Sequence, residues 1–294
     1  MEQLPQLPAE NFLVEPQGRN TGPAIGLACT HLYHRDPDAV VAFLPADHLI
    51  QDAVSLRKAL AFAEEMAQRN QIVTLGIEPT VPHTGYGYIR QDQLLHHHEG
   101  TDQPVYAVDT FLEKPDLPTV RQLVVDGRHY WNSGMFISRA DQLLNEIERQ
   151  LPAVDDCLSE IRQGLDSQDG AEILATAWAR MPSISIDFGV MEGANNVSVI
   201  PLRAGWSDIG SWDALGDVLV QDQCGNSTAK GELLPIDSQD NVVYSDRTFV
   251  SLIGVQDLVV VDSGNALLIG HRDKMQNVST VVEYLHSHGR TELV

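Results

Sequence analysis

The sequence predicts an α/β fold followed by a small β-rich unit, and three observations carry this prediction. Residues 39–44 and 71–77 are continuous apolar runs, which are typical of strands buried on both faces of a sheet. Residues 54–69 between them have the spacing of an amphipathic helix, so this order predicts a mixed, mainly parallel sheet. After about residue 220, short β segments follow closely on one another. We therefore expect domains at 1–220 and 221–294.

The remaining elements continue this pattern along the chain. In the first domain, helical spacing recurs in four segments and one more apolar run is typical of a strand: 116–125, 139–150, 154–165, 171–179 and then 197–201. In the second domain, Gly and Asp-Asn turns separate four β segments, and a helix follows them: 241–244, 249–253, 258–262, 266–270 and then 274–288.

Composition and net charge exclude several classes of protein function. The chain has 294 residues and a net charge of −22, so its surface repels nucleic acid and anionic lipid, and we expect neither as a partner. No apolar run is long enough to span a bilayer, and the first twenty residues do not resemble a signal peptide. The three cysteines have no metal-site spacing, which favours free thiols and a cytoplasmic location.

Two aspartates follow predicted strands. Asp47 comes just after residues 39–44, and Asp208 follows the strand at 197–201 within a turn flanked by two tryptophans. Open α/β sheets bind ligands at the carboxyl ends of their strands, and Mg²⁺ prefers one or two carboxylates plus substrate phosphate oxygens. The alternative for the first is that Asp47 or Asp52 caps the helix that follows. The alternative for Asp208 is a turn in which it caps a helix from Asp213. The spacing leaves both interpretations open.

Four other segments combine polar side chains with turns, and three of them also have a plainer interpretation. Residues 15–21 precede a helix for which Thr21 is a good N-cap, so they favour an anion or a polar base edge, or are a capped loop. Residues 84–88 form a glycine loop that a ligand can approach. Residues 111–115 are either part of a functional site or a solvated Glu-Lys pair. Residues 131–136 are either an aromatic-walled polar site or a core turn.

In this order, these segments resemble one family, the mannose-1-phosphate guanylyltransferases within the sugar nucleotidyltransferases. The resemblance runs from about residue 15 to about residue 288, and the ordered set is far more specific than any single segment. The matching segments are 15–25, 45–48, 76–80, 84–89, 111–116, 131–136, 185–192 and 206–212. The resemblance implies a Rossmann-like nucleotidyltransferase domain, its first strand missing here, followed by a β-helix-like domain.

The resemblance also implies a reaction, in which GTP and α-D-mannose 1-phosphate give GDP-mannose and pyrophosphate. It assigns roles by position in the matching segments. Asp47 and Asp208 would hold Mg²⁺, and Lys114 would reach the sugar phosphate. The expected sugar-hydroxyl ligands are Gly87, Glu113 and Asn132. The residues expected on the nucleotide side are Glu15, Arg19 and Asn20.

This sequence departs from the family pattern in two places, and its last segment matches a longer type of enzyme. The glycine-rich signature loop with its Arg and Lys is not found, and Gly193 stands where the family usually has Lys. Residues 281–293 resemble the linker that leads into a cupin domain with mannose-6-phosphate isomerase activity. We therefore expect this chain to be the interior of a longer enzyme. The alternative is a non-catalytic relative that binds sugar nucleotide or pairs with an active subunit. The sequence leaves a homo-oligomer open.

Overall fold

A computed structural model describes residues 6–98, 103–210, 212–245 and 249–293. The chain divides into two compact units. The first comprises Met1–Ala46 and Gln51–Ala204, and the second comprises Asp47–Ile50 and Gly205–Val294. A division of the sequence at residue 220, which follows the change in composition, stays a prediction.

A mixed six-stranded sheet forms the centre of the first unit. Its strands are β1 (Val40–Phe43), β3 (Ile72–Ile77), β4 (Tyr88–His97), β5 (Pro104–Leu112), β6 (His129–Arg139) and β7 (Val197–Pro201). Their order across the sheet is β1-β6-β3-β7-β5-β4, and β6 also pairs with β4. The order matters for the site, because the ends of β4, β5 and β6 come together.

The expectation of mainly parallel pairing is wrong, although the mixed sheet is confirmed. Within the described ranges, β3–β7 is the one parallel pairing in this sheet, and the others are antiparallel. One cause is β6, an 11-residue strand that lies antiparallel between β1 and β3. The two apolar strands therefore run in the same direction, as their helical crossover requires, but they are not neighbours. Another cause is β5, which is antiparallel to both β4 and β7.

Within the described ranges the first unit has seven helices, and those that the sequence predicted lie within a few residues of their predicted positions. The seven helices are α1 (Thr21–Arg35), α2 (Ala53–Ala67), α3 (Leu117–Asp126), α4 (Ala140–Gln150), α5 (Pro152–Gly164), α6 (Gly170–Ala179) and the short α7 (Ile186–Gly189). Apolar residues of α1, α4, α5 and α6 pack with the sheet into one core. Its fully buried side chains include Phe136 and Leu158, and Trp178 is 1% exposed.

Parallel strands stack in the second unit. The strands β9 (Ser227–Lys230), β11 (Val242–Ser245) and β13 (Leu258–Asp262) pair in parallel, as do β10 (Leu233–Ile236) and β12 (Val250–Ile253). An edge strand, β14 (Leu267–His271), is antiparallel to β13. This arrangement is the predicted β-helix-like domain. It is accompanied by β2 (Leu49–Ile50), β8 (Trp206–Ser207), α8 (Trp212–Val218) and α9 (Val278–Ser287).

Buried asparagines connect successive coils of this stack. The Asn241 side chain donates to Asn226 Oδ1 at 2.8 Å, and its own Oδ1 accepts from the backbone N–H of Leu258 at 3.0 Å. Asn226 in turn donates to the Ser238 carbonyl at 2.9 Å. Each buried amide thus satisfies polar groups of the neighbouring coil, which fixes the spacing of the coils.

Within the four described ranges, no helix combines the length and the apolar character that a membrane crossing requires.

Candidate active site

Three of the predicted sugar-binding residues meet at the ends of β4, β5 and β6. Gly87 directly precedes β4, Glu113 directly follows β5, and Asn132 lies within β6. The Asn132 backbone N–H donates to the Gly87 carbonyl at 2.8 Å. A Cβ atom on residue 87 would lie 2.5 Å from Glu113 Oε2 and 3.2 Å from Asn132 Cβ. Only glycine at position 87 leaves this space open.

Side chains alternate between the two faces of β6, and this separates the core residues of segment 131–136 from the polar residue Asn132. Trp131 and Ser133 are buried, whereas Tyr130 and Asn132 beside them are only partly buried. The Trp131 indole donates to the Tyr88 hydroxyl at 2.9 Å. Trp131 therefore belongs to the core, and Asn132 lies on the opposite face of the strand.

Glu113 is the most perturbed carboxyl group of the cluster. Its side chain is 11% exposed, and within the described part of the chain Oε2 is buried without a hydrogen-bond partner. Burial raises the Glu113 pKa to about 7, and the nearby Asp187 and Glu192 carboxylates act in the same direction. Lys114 Nζ lies 3.7 Å from Oε1 and opposes the shift. Near neutral pH this group can therefore either donate or accept a hydrogen bond.

Two acids of the cluster, Asp187 and Glu192, carried no predicted role. The Asn132 side-chain amide donates to Asp187 Oδ1 at 2.7 Å, and Glu192 Oε1 accepts from the Glu113 backbone N–H at 3.2 Å. Burial raises the Asp187 pKa. Both acids lie in segment 185–192, which belongs to the resemblance but ends no predicted strand. The only sequence signal for them is that two acids fall within one matching segment.

The predicted nucleotide-side residues form a loop that leads into α1. Asn20, not Thr21, is the N-cap of α1, and its side chain accepts from the Thr21 N–H at 2.8 Å. Thr21 Oγ1 accepts instead from the Ile186 N–H at 2.9 Å. The Arg19 carbonyl accepts from the Ile184 N–H at 3.2 Å. These bonds place the loop beside the segment that carries Asp187.

Two buried polar atoms of this loop have no hydrogen-bond partner among the described residues. They are Glu15 Oε2 and Arg19 Nε. The other end of the Arg19 guanidinium donates to the Ala179 carbonyl at 3.4 Å, and the Gln17 carbonyl accepts from the Trp178 indole at 2.7 Å. Buried polar groups are almost always paired in folded proteins, so these two atoms favour a polar ligand at this loop.

In the second unit, Asp47 and Asp208 lie near one imidazole. The strands β2 and β8 pair antiparallel, with Leu49 opposite Ser207. The Trp206 indole donates to His48 Nδ1 at 3.1 Å. Burial lowers the pKa of His48, and the charges of Asp47 and Asp208 both act to raise it. Two carboxylates therefore approach the same side chain.

The capping alternative for Asp47 is removed by the structure. Asp52 is the N-cap of α2, and its Oδ1 accepts from the N–H groups of Val54 and Ser55 at 3.0 and 3.1 Å. Asp208 Oδ1 accepts from the Gly210 N–H at 3.2 Å within its own turn.

Two carboxylates are a donor set that fits Mg²⁺, which completes its coordination with water and substrate phosphate oxygens. Within the described ranges, no group of three or more His, Cys, Asp or Glu side chains is placed to hold a metal ion by itself. The two-carboxylate arrangement thus fits a cation that arrives with a phosphorylated ligand.

Backbone strain marks two of the predicted positions. Lys114 has φ 48° and Ile209, which follows Asp208, has φ 45°. Among the described residues, every other residue with positive φ is Gly, Asn or Asp, which tolerate that region. Strained backbone of this kind costs roughly 1–3 kcal/mol and clusters at functional sites, so it supports both segments as site residues.

The fold and these clusters fit one class of protein, the nucleotidyl transferases. The nucleotidyl transferase family profile matches residues 2–224, and the MannoseP isomerase/GMP-like beta-helix domain profile matches residues 231–285. The chain belongs to the nucleotidyl transferase family. The predicted family, and the predicted order of its two kinds of domain, are confirmed.

Similar proteins include enzymes and biosynthesis proteins of bacteria. The chain is 41% identical to the mannose-1-phosphate guanylyltransferase RfbM of Salmonella typhimurium, over 97% of this chain and 58% of that protein. It is 40% identical to the xanthan biosynthesis protein XanB of Xanthomonas campestris pv. campestris, over 99% of this chain and 61% of XanB. It is also 40% identical to the alginate biosynthesis protein AlgA of Pseudomonas aeruginosa, over 98% of this chain and 60% of AlgA. The chain spans about three fifths of the length of these relatives.

Two solved structures have the same fold. A Thermus thermophilus structure, described as a mannose-1-phosphate geranyltransferase, is 34% identical with a TM-score of 0.81, over 93% of this chain and 77% of that one. A Helicobacter pylori structure, described as a mannose-6-phosphate isomerase, is 25% identical with a TM-score of 0.55, over 67% of this chain and 73% of that one.

Proposed function

We propose that this chain carries the guanylyltransferase activity of an enzyme that makes GDP-mannose from GTP and mannose 1-phosphate. The observation that carries the proposal is the meeting of Gly87, Glu113 and Asn132, with a buried and unpaired Glu113 Oε2. A carboxyl oxygen and a side-chain amide around a gap at glycine match the donor and acceptor pattern of sugar hydroxyls. The relative RfbM, named for this activity, is 41% identical.

The proposed reaction is an in-line phosphoryl transfer. An oxygen of the mannose phosphate forms a bond to the α-phosphorus of GTP, the bond from that phosphorus to the β-bridging oxygen breaks, and pyrophosphate leaves. Positioning and charge neutralisation are sufficient for such chemistry, so no protein nucleophile is needed. Lys114, whose side chain is 61% exposed beside Glu113, is the proposed cationic contact for the sugar phosphate.

Glu15, Arg19 and Asn20 are the proposed nucleotide-side residues. Guanine presents N–H donors on one edge, and the unpaired Glu15 Oε2 is an acceptor suited to them. Arg19 Nε is a donor suited to a carbonyl or phosphate oxygen. Asn20 keeps this loop in place by capping α1.

Asp47 and Asp208 would hold a divalent cation, for which we propose Mg²⁺. When bound, Mg²⁺ would neutralise phosphate charge and help to orient the phosphates. His48, held by Trp206, would sit beside the two carboxylates. The hydrogen bond from Trp206 leaves Nε2 as the protonated nitrogen of the neutral ring.

We also propose a cytoplasmic location, where GTP is available. The three cysteines are free, two of them buried and Cys224 exposed, which suits a reducing compartment.

The test is to titrate the purified protein with GTP and with mannose 1-phosphate, and to measure pyrophosphate release with both substrates and Mg²⁺ present. We expect binding of both substrates and release only when both are present. In Asn132→Ala, mannose 1-phosphate affinity should fall while GTP affinity is kept. Binding without release would favour a non-catalytic relative, and no binding of mannose 1-phosphate would contradict the proposed sugar site.

A further inference from the structure

We propose that Asp187 is a positioning residue that fixes the side-chain amide of Asn132 and thereby sets the hydroxyl pattern that the sugar subsite accepts. The proposal rests on the proposed function, in which Asn132 binds a sugar hydroxyl. Its basis is the 2.7 Å hydrogen bond from Asn132 Nδ2 to Asp187 Oδ1, which joins β6 to α7. Asp187 acts through Asn132 in this proposal and is not itself a catalytic residue.

Both ends of the Asn132 amide have partners, and one of these partners can only donate. Asn132 Oδ1 accepts from the Gly134 backbone N–H at 3.0 Å, and a backbone N–H can only donate. Nδ2 faces the carboxylate of Asp187, which accepts when ionised. The orientation of the amide is therefore unambiguous, with one N–H and one carbonyl lone pair left for a ligand. A hydroxyl group, which both donates and accepts, satisfies that pair.

Asp187 is itself held from the opposite side. Ser185 caps α7 by accepting from the Phe188 N–H at 3.3 Å, and the Ile186 N–H donates to Thr21 Oγ1 at 2.9 Å. The Gly22 N–H donates to the Ile184 carbonyl at 3.0 Å. The backbone on both sides of Asp187 is thus held in place, and residues 184 and 186 are bonded to the start of α1, next to the proposed nucleotide-side loop. Asp187 therefore has a fixed place from which to orient Asn132.

Asp187 also changes the electrostatic surroundings of Glu113, the other proposed sugar ligand. The charged groups that face Glu113 are Asp187 from α7, Glu192 from the turn after it, and the adjacent Lys114. The Asp187 carboxylate contributes to the raised pKa of Glu113. Removing its charge should move the pH dependence of sugar-phosphate binding to lower pH. A residue that only supported the fold would leave that dependence in place.

The experiment compares Asp187→Ala, Asp187→Asn and Glu192→Gln in the whole chain, by titration with mannose 1-phosphate, its C2 epimer glucose 1-phosphate, and GTP. We expect Asp187→Ala to weaken mannose 1-phosphate binding by roughly tenfold and to reduce the preference between the epimers, while GTP affinity stays within about twofold. Asp187→Asn keeps an oxygen acceptor and should recover most of that affinity. Both Asp187→Asn and Glu192→Gln should shift the pH dependence downward, but Glu192→Gln should keep the epimer preference.

Asp166→Asn, at a side chain that is 84% exposed and paired with His34, is the matched control for loss of one carboxylate. Equal losses of sugar-phosphate and GTP affinity in Asp187→Ala would overturn the proposal, as would an unchanged epimer preference. If the unaltered protein binds no sugar phosphate, the proposed function fails. The nitrogen-15 resonances of the Asn132 side chain then decide the positioning role. It stands if they shift in Asp187→Ala but not in Asp166→Asn, and it is overturned if they do not shift in Asp187→Ala.

Discussion

Gly87 faces the carboxyl group of Glu113 so closely that a Cβ atom on residue 87 would lie 2.5 Å from Oε2. We predict that Gly87→Ala weakens mannose 1-phosphate binding by roughly tenfold or more, because the added methyl group displaces the carboxyl group that would bind the sugar. Calorimetric titration measures this affinity. Because the change lies on the sugar side, GTP affinity should be kept. Unchanged sugar-phosphate affinity would remove Gly87 from the site.

The raised pKa of Glu113 predicts a pH-dependent stability difference between the protein and Glu113→Gln. The folded protein holds this proton up to a pKa of about 7, compared with an ordinary value of 4.5. The folded state therefore loses stability as pH rises through this window, by about 3 kcal/mol in all. Glutamine stays neutral throughout and avoids that loss.

Urea unfolding of both proteins at pH 5 and pH 8 measures the effect. The stability of Glu113→Gln relative to the unaltered protein should rise between the two pH values. The same relative stability at both would show that Glu113 titrates normally in the folded state.

Asp208→Asn should remove Mg²⁺-dependent pyrophosphate release, because an amide is a neutral and much weaker ligand for the cation than a carboxylate. Asp273→Asn is a matched control in the same unit, since the Asp273 side chain is 82% exposed and pairs only with His271 at 3.8 Å among the contacts described. The assay measures release at increasing Mg²⁺ concentrations. Wild-type rates in Asp208→Asn would exclude Asp208 from cation binding.

Patterns within single segments of the sequence predicted most of the helices and strands. They did not predict which strands are neighbours in the sheet. The spacing of residues 54–69 predicted a helix, and α2 begins and ends within two residues of that segment. The position of β6 between β1 and β3 could not be predicted in this way, because its pairings join residues that are far apart along the chain. The pattern within one strand does not indicate which other strand pairs with it in the sheet.

The same limit applies to the candidate site. Gly87, Glu113 and Asn132 were predicted from separate segments and do meet. Asp187 reaches Asn132 across 55 residues of sequence, from a short helix without a strong pattern of its own. The stacked coils of the second unit were visible only as short strands. Equivalent positions in successive coils are 17 residues apart, as for Gln239 and Gln256. This spacing is present in the sequence, but the patterns of single strands do not reveal it.

Asn241→Ala should destabilise the second unit by roughly 2–3 kcal/mol, because it leaves the Leu258 N–H without its acceptor and removes one of the two donors to Asn226 Oδ1. Thermal unfolding of the variant measures the loss. Gln239→Ala is the control, since Gln239 pairs with Gln256 on the exposed side of the same coils. Equal stability of the two variants would show that the buried amide does not hold the coils together.

Phosphorus NMR of the complete reaction would follow the proposed transfer of GMP to mannose 1-phosphate. The purified chain is incubated with Mg²⁺, GTP and mannose 1-phosphate, with Asn132→Ala in parallel. We expect the coupled diphosphate signals of GDP-mannose to appear together with an equal amount of pyrophosphate. At low mannose 1-phosphate concentration, the Asn132→Ala variant should form less of both products. Spectra that keep only the signals of GTP and mannose 1-phosphate, at protein concentrations where both substrates bind, would contradict the proposed transfer.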